Sequence, residues 1–177
     1  MKRLGVLRHA KSDWDDLSLR DFDRGLNSRG RRGAALMGRH IRERGENWDK
    51  IIASPAERVR RTLDASGLDQ DICWDERAYL ADRDTLLALL AERGGEAGAI
   101  LLVGHNPGLQ DLILALLSPR EDNALVREVE VKYPTAAFAV VELDIDDWHD
   151  CVPDRGRLVH LARPRDLDAD LGPERLR

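Results

Sequence analysis

Short apolar runs alternate with amphipathic patterns along this chain, and this alternation constrains the fold more than any other feature. The runs have the length and composition of buried strands, and the patterns between them have helical spacing. Strands are predicted at 4–7, 50–53, 72–74, 99–103, within 136–143 and at 157–161, and helices at 29–44, 55–66, 84–93 and 107–117. Such alternation indicates a layered α/β fold with a mainly parallel sheet and right-handed crossovers.

Two of these helices begin with the same local signal. Ser54-Pro55 and Asn106-Pro107 each place an N-capping side chain before a proline, whose missing N–H costs nothing in the first helical turn. Gly67 is expected to end the first of the two helices. Both helix N-termini would then follow a strand directly and would offer backbone N–H groups to a bound anion.

The length indicates a single domain, since domains commonly have roughly 100–200 residues and this chain has 177. We expect that domain over residues 1–163, followed by a peripheral polar tail over residues 164–177. With 42% hydrophobic and 34% charged residues, and no apolar run near the ~20 residues that cross a bilayer, we expect a soluble protein without a membrane partner. The first apolar stretch is too short for a signal-peptide core, which favours a cytoplasmic location.

Charge and cysteine content exclude two further classes. The net charge of -5 argues against non-specific nucleic-acid binding, although the 28 Lys and Arg residues can still form local positive pockets. Cys73 and Cys151 are isolated, so neither a disulfide framework nor a zinc site is indicated. The five histidines show no paired metal-ligand spacing, and we expect no metal and no cofactor.

Several polar residues are predicted to meet at one edge of the sheet. Ligands of such sheets bind beyond the carboxyl ends of the parallel strands. Arg8 and His9 follow the first strand, Arg58 lies shortly after the second, and His105 follows the fourth. The acidic residues after the third strand are Glu76 and Asp82.

These residue types suit a phosphoryl group. The planar guanidinium of arginine matches two phosphate oxygens, so Arg8 and Arg58 are the candidate phosphate ligands. A neutral histidine can act as a nucleophile, and nearby guanidinium charges push its pKa below the usual value of about 6.5, which favours His9. His105 could donate a hydrogen bond to the phosphoryl oxygens, and a carboxylic acid could protonate the leaving group.

Three segments extend this pattern: Leu7-Arg8-His9-Ala10-Lys11, Ser54-Pro55-Ala56-Glu57-Arg58-Val59-Arg60-Arg61-Thr62 and Val103-Gly104-His105-Asn106-Pro107-Gly108. In this order they resemble the signature of the histidine phosphatase superfamily. Three more segments are similar to the small bacterial phosphohistidine phosphatases of the SixA type: Ser12-Asp13-Trp14, Asp21-Phe22-Asp23-Arg24-Gly25-Leu26 and Lys132-Tyr133-Pro134-Thr135-Ala136. The resemblance covers residues 2–163.

The resemblance implies a phosphoglycerate mutase-like, three-layer α/β/α sandwich. It implies that His9 attacks phosphorus in line and becomes phosphorylated, and that water then releases phosphate without a metal. The residues that match the phosphate pocket are Arg8, Arg58 and His105. Glu76 falls where larger relatives place their proton donor, and Asp82 is the alternative.

Two positions depart from the family pattern. Ala10 replaces the usual glycine after the nucleophile, and we expect a backbone conformation there that alanine tolerates. Asp15 stands where mutase relatives often carry a phosphate-binding asparagine. Because a carboxylate there would repel a dianion, we expect Asp15 to point away from the site.

Three functions remain open at this point. The short chain leaves little room for an insertion that caps the pocket, and an open pocket favours phosphohistidine on a protein, such as a histidine-containing phosphotransfer protein. The first alternative is a general phosphomonoesterase that acts on a small metabolite with the same residues. The second is a non-catalytic phosphate-binding regulatory module, which is disfavoured because Arg8, His9, Arg58 and His105 are all present.

Overall fold

The computed structural model describes residues 1–173, which form one six-stranded sheet with helices along both faces. The strands are β1 (Lys2–Arg8), β2 (Lys50–Ala53), β3 (Ile72–Trp74), β4 (Ala99–Gly104), β5 (Phe138–Leu143) and β6 (Gly156–Ala162). The α-helices are α1 (Ser28–Glu43), α2 (Glu57–Ser66), α3 (Arg83–Arg93), α4 (Gly108–Leu116), α5 (Ala124–Val131) and α6 (Pro164–Leu167). Short 3-10 helices lie at Asp21–Asp23, Glu76–Ala78, Trp148–Asp150 and Ala169–Leu171. None of the helices within residues 1–173 is long and apolar enough to span a membrane.

The strands are arranged in the order β3-β2-β4-β1-β5-β6. The first four in this order run parallel, whereas β5 and β6 are antiparallel to their neighbours. Near the end of β1, Leu7 pairs with Val103 of β4 on one side and with Phe138 of β5 on the other. The prediction of a mainly parallel α/β sandwich is confirmed, and β2 and β3 have the predicted bounds.

Two apolar cores lie on opposite faces of the sheet, because successive side chains of a strand point to opposite sides. Val6 of β1 belongs to the core that includes Leu112 of α4 and residues of α3 and α5. Leu7 belongs to the other core, together with Met37 of α1 and Val59 of α2. Burial of each aliphatic side chain lowers the free energy of the folded state by about 1.5–3 kcal/mol. The helices therefore pack on the face where their own apolar side chains can join a core.

The helices that follow β2 and β4 begin later than predicted. α2 begins at Glu57 and α4 at Gly108, so each strand is followed by a short non-helical turn. The prediction that Ser54 caps α2 is wrong, because its hydroxyl contacts the ring of His105 instead, with 2.7 Å between Oγ and Nε2. The prediction that Gly67 ends α2 in the left-handed conformation is confirmed, with φ of 71°.

The segment after β6 lies against the rest of the fold. Its helix α6 contacts α1, and the guanidinium of Arg32 in α1 pairs with the carboxylate of Asp168 just after α6. The last four residues of the predicted tail, 174–177, lie outside the described residues. The boundary between a domain over 1–163 and a tail over 164–177 stays a prediction.

Helices α1 and α2 approach each other closely at Gly38. A β-carbon built on Gly38 would lie 2.1 Å from the carbonyl oxygen of Ser66 and 2.5 Å from its Cα. Both are backbone atoms, so the clash can be relieved only if a helix moves. In contrast, a β-carbon on Gly33 of the same helix would make only ordinary contacts, the nearest at 3.8 Å from Pro164.

We therefore predict that Gly38→Ala lowers the free energy of unfolding by about 1–3 kcal/mol, the usual cost of overpacking. Gly33→Ala is the matched control and should be neutral or stabilising by up to about 1 kcal/mol, because alanine favours helix more than glycine does. Urea denaturation of the two variants and the wild type measures both effects. Equal stability of the two variants would contradict a close approach at Gly38.

Candidate active site

Four of the predicted site residues converge at the carboxyl edge of the parallel strands. Arg8 ends β1 and His9 follows it, Arg58 lies in the first turn of α2, and His105 follows β4. The N–H of His9 donates to the carbonyl of Gly104 at 3.0 Å, which joins the ends of β1 and β4. The ring centroids of His9 and His105 are 5.3 Å apart. Only 7% of His9, 5% of Arg58 and 3% of His105 is exposed to solvent, so the residues form an enclosed cluster.

The ring of His9 is fixed by its own loop. Its Nδ1 lies 2.7 Å from the carbonyl oxygen of Ala10. A carbonyl can only accept a hydrogen bond, so Nδ1 carries the proton and Nε2 carries the lone pair. Ala10 is buried and lies outside the residues with positive φ, so alanine fits this backbone as expected.

Thr62 connects the loop that carries His9 to α2. Its hydroxyl oxygen accepts a hydrogen bond from the Ala10 N–H at 2.9 Å and donates its own proton to the carbonyl of Arg58 at 2.7 Å. Thr62 is itself completely buried. One hydroxyl group thereby sets the distance between the loop that carries His9 and the turn that carries Arg58.

Burial keeps both histidine rings neutral. Desolvation lowers the pKa of His9 to about 4; the Ala10 carbonyl opposes this shift, and the charges of Arg58 and Arg8 add to it. Desolvation also lowers the pKa of His105 to about 3, with His9 and Arg58 as further causes. Near pH 7 the Nε2 of His9 is therefore available as a nucleophile.

His105 is held by the side chain that was predicted as a helix cap. Ser54 is completely buried, and its hydroxyl lies 2.7 Å from His105 Nε2. The other ring nitrogen, Nδ1, is buried without a hydrogen-bond partner among residues 1–173. Tyr79 packs against the ring edge-on, with the centroids 5.4 Å apart.

Arg8 is positioned by the segment that precedes β5. Its Nη1 donates to the carbonyl of Tyr133 at 3.1 Å, and the amide of Asn106 donates to the same oxygen at 2.8 Å. The buried Tyr133 hydroxyl in turn donates to the carbonyl of Val6 at 2.6 Å. The Nε of Arg8 is buried and has no partner within the described residues, so it retains a donor for an anion.

Asp21 is the acidic residue that contacts this cluster, and it was not predicted as part of the site. Arg58 donates from Nη1 to the Asp21 carbonyl at 2.8 Å and from Nη2 to its carboxylate at 3.0 Å. The Tyr79 hydroxyl donates to the same carboxylate oxygen. Burial raises the pKa of Asp21, but the hydrogen bonds from Tyr79 and Arg58 outweigh it and lower the pKa overall. A carboxylate therefore occupies the fork of Arg58 in this structure.

The two candidate proton donors lie outside this network. Glu76 begins the short helix after β3 and is exposed. Asp82 caps α3 by accepting a hydrogen bond from the Thr85 N–H at 2.8 Å. Neither residue has a hydrogen bond to Arg58 or His105 in the described structure, and the role of Glu76 stays a prediction. Asp15 is exposed, in line with its expected orientation away from the site.

The arrangement fits an anion with two or more negative charges. Arg8 and Arg58 supply fixed positive charge, and both act on the two neutral imidazoles of His9 and His105. No group of three or more His, Cys, Asp or Glu side chains within residues 1–173 is placed to hold a metal ion. The chemistry that this geometry supports best is nucleophilic attack by an imidazole on phosphorus.

Comparisons show that the chain is similar to known proteins over most of its length. The model of the histidine phosphatase superfamily (branch 1) matches residues 4–86. Uncharacterized protein Rv1276c of Mycobacterium tuberculosis is 34% identical over 160 residues, which are 90% of this chain and 100% of that protein.

Two solved structures have the same fold. The SixA protein from Agrobacterium tumefaciens is 31% identical, with a TM-score of 0.75 over 92% of this chain and 99% of that one. The SixA protein from Nakamurella multipartitia is 27% identical, with a TM-score of 0.79 over 92% of this chain and 96% of that one. In both alignments the similarity extends beyond the segment that the family model matches.

We predict that Asp21→Asn tightens the binding of orthovanadate, a phosphate analogue, by about tenfold. The asparagine can still accept a hydrogen bond from Arg58, but it no longer repels the anion; a unit charge at ~4 Å contributes about 1–4 kcal/mol near a protein surface. The inhibition constant of vanadate against aryl phosphate hydrolysis measures the change.

Asp23→Asn is the matched control, because it removes the same charge from the same short helix. Asp23 pairs with Arg20 at 2.7 Å and forms no hydrogen bond or ion pair with Arg58 among the described residues. Its vanadate inhibition should stay at the wild-type value. An equal shift in both variants would show that net charge, and not the carboxylate in the fork of Arg58, controls anion binding.

Proposed function

Because the chain belongs to the histidine phosphatase superfamily, and within it to the SixA type, we propose that it removes phosphoryl groups from phosphohistidine on a protein. Membership of this family makes the chain a phosphatase. Our proposal concerns its substrate, the roles of its residues and a reaction without a metal. The mechanism rests on one observation, the fixed and neutral ring of His9. Its Nδ1 donates to the Ala10 carbonyl, which leaves the lone pair on Nε2.

The reaction takes place in two displacements at phosphorus. In the first, Nε2 of His9 forms a bond to phosphorus while the bond from phosphorus to the substrate imidazole breaks. The substrate imidazole, protonated on its other ring nitrogen, takes the electron pair and leaves as a neutral ring, and the phosphorylated His9 keeps its Nδ1 proton. In the second, water attacks phosphorus, the bond to Nε2 breaks, and inorganic phosphate departs. His9 returns to its neutral form, and the proton lost by water passes to solvent or to the free phosphate.

The other residues of the cluster stabilise the charge that moves during these steps. Arg8 and Arg58 hold the phosphoryl oxygens with their guanidinium groups, which match the geometry of a phosphate. His105 donates a hydrogen bond to an oxygen that gains negative charge. Because these groups supply the positive charge and the donors that phosphoryl transfer needs, the proposed reaction requires no metal.

Two observations support a protein as the substrate. The Agrobacterium tumefaciens structure, to which this chain is 31% identical, is named for a phosphohistidine phosphatase. In addition, the connections at the carboxyl edge are short, and the longest of them in the described chain, residues 9–27, contains only one short helix. An enclosing domain of the kind that sequesters a small metabolite would need more chain than this edge provides.

Phosphate release in the presence of EDTA tests the proposal. Wild type should release phosphate from a phosphohistidine protein and, more slowly, from an aryl phosphate, whereas His9→Ala should reduce both to background. His149→Ala is the control, since this histidine is exposed on the short helix Trp148–Asp150. Quenching of wild type with labelled substrate in alkaline denaturant should trap a protein-bound label that is stable in base and lost in acid, and that His9→Ala lacks.

Each outcome separates one candidate function from the others. A faster reaction with the aryl phosphate would favour the general phosphomonoesterase over the phosphohistidine phosphatase. Activity retained by His9→Ala would exclude the proposed nucleophile. Loss of activity in EDTA that zinc or magnesium restores would exclude the metal-free mechanism.

Glu76→Gln tests the proton donor. Imidazole is a better leaving group than an alkoxide and depends less on protonation, so this variant should lose more kcat/KM on an alkyl phosphate than on phosphohistidine. On the alkyl phosphate the loss should be about 10²-fold, at the lower end of what general acids contribute. Equal losses on both substrates would contradict the role, and the same pattern in Asp82→Asn would assign it to Asp82.

A further inference from the structure

A strongly basic groove lies beside the candidate active site, at the same edge of the sheet. Its volume is about 280 Å³. Its walls include the six cationic side chains Arg8, Lys11, Arg29, Lys132, Arg163 and Arg165, and no acidic residue of the described chain lines it. We refer to this feature as the basic groove. Such a concentration of positive charge is notable in a chain with a net charge of -5.

The groove is formed by four segments that the fold brings together. These are the loop after β1, the first turns of α1, the segment before β5 and the segment after β6. Gly30 in α1 lies so close to the first of them that a β-carbon would be 2.1 Å from the carbonyl oxygen of Lys11. A larger residue at position 30 would therefore push the wall of the groove outward.

The two lysines that line the groove are not neutralised by an ion pair within the described residues. Lys11 and Lys132 are exposed and form no ion pair with any residue from 1 to 173. Arg163 pairs with Asp166 at 3.0 Å and lies 3.8 Å from Glu128. The groove therefore keeps a positive potential that attracts anions from solvent.

Arg8 belongs both to the basic groove and to the candidate phosphate site. Its Nη1 is fixed on the Tyr133 carbonyl, and its Nε is buried without a described partner. A ligand bound at the phosphate site can thus continue directly into the groove. The groove wall also contains Pro134, Pro164 and Leu171 between the cations, and this mixture suits the side chains of a polypeptide better than a compact polyanion.

We propose that the basic groove binds acidic side chains that flank the phosphohistidine of the protein substrate. The proposal rests on the proposed function, because it assumes that the phosphoryl group is carried by a protein. Carboxylates in the groove pair with Lys11 and Lys132, while the phosphoryl group lies between Arg8 and Arg58. This second contact selects substrates by the charge around the phosphorylated histidine and accelerates their encounter with the enzyme.

The test compares two double variants that change the net charge equally. Lys11→Glu/Lys132→Glu reverses two charges in the groove. The control variant, Arg120→Glu/Arg155→Glu, reverses two exposed charges near Gly156, where β6 begins. This position is at the opposite edge of the sheet from the groove. The probes are two phosphohistidine peptides, one with Asp and Glu flanks and one with Ser and Gln flanks, together with an aryl phosphate.

Wild type and the control variant should hydrolyse the acidic peptide with a kcat/KM at least about tenfold above that of the neutral peptide, a ratio typical of electrostatic steering. The groove variant should lose this preference while its kcat on saturating aryl phosphate stays the same. Higher salt should reduce the wild-type preference, because exposed charges are screened. Equal rates for the two peptides in wild type would overturn the proposal, as would equal losses in both double variants.

Calorimetry with the unphosphorylated acidic peptide separates this proposal from the proposed function. If neither phosphopeptide is hydrolysed but the acidic peptide binds wild type and not the groove variant, the groove assignment stands and phosphohistidine is excluded as the substrate. If inorganic triphosphate binds the groove and the acidic peptide does not, the groove accepts a small polyanion and the proposal is overturned.

Discussion

The hydrogen bond from the His9 N–H to the Gly104 carbonyl joins the ends of the two central strands, and the site depends on it. Because β1 lies between β4 and β5, the residues that follow β1 and β4 must emerge side by side. The same geometry brings the segment before β5 against Arg8, where the Tyr133 carbonyl holds the guanidinium. The position of β1 in the sheet thus determines which side chains can meet at a bound anion.

Burial has opposite consequences for the two kinds of cation in this cluster. A buried imidazole loses its charge, and the low pKa values of His9 and His105 show this effect. A guanidinium remains charged, because its ordinary pKa is far above neutrality. Burying this charge is unfavourable, and in Arg58 the ion pair with the carboxylate of Asp21 offsets it. We propose that a substrate dianion replaces that carboxylate. The site therefore holds a neutral imidazole beside a positively charged guanidinium.

The sequence predicted the strands well because each buried strand is a short apolar run whose character does not depend on its neighbours. It did not predict α5, whose valines at positions 126 and 129 have low helix propensity and are stabilised by packing in the core. Nor did it predict the contact of Ser54 with His105, since the same serine also fits a helix cap. The sequence analysis included Asp21 only in a segment that resembles the SixA type and did not predict its contact with Arg58. That contact depends on the path of residues 9–27 across the sheet edge, which tertiary packing determines.

The buried hydroxyl of Thr62 has a consequence for how relatives of this protein can diverge. Since it binds both the Ala10 N–H and the Arg58 carbonyl, the spacing of the His9 loop and the first turn of α2 is fixed inside the fold. Asp21, Lys11 and Lys132 lie instead on the segments that connect the strands and α-helices. With the roles proposed above, evolution can exchange loop residues that select the substrate without altering the buried part of the site, so a single scaffold can acquire new specificities by variation of its loops alone.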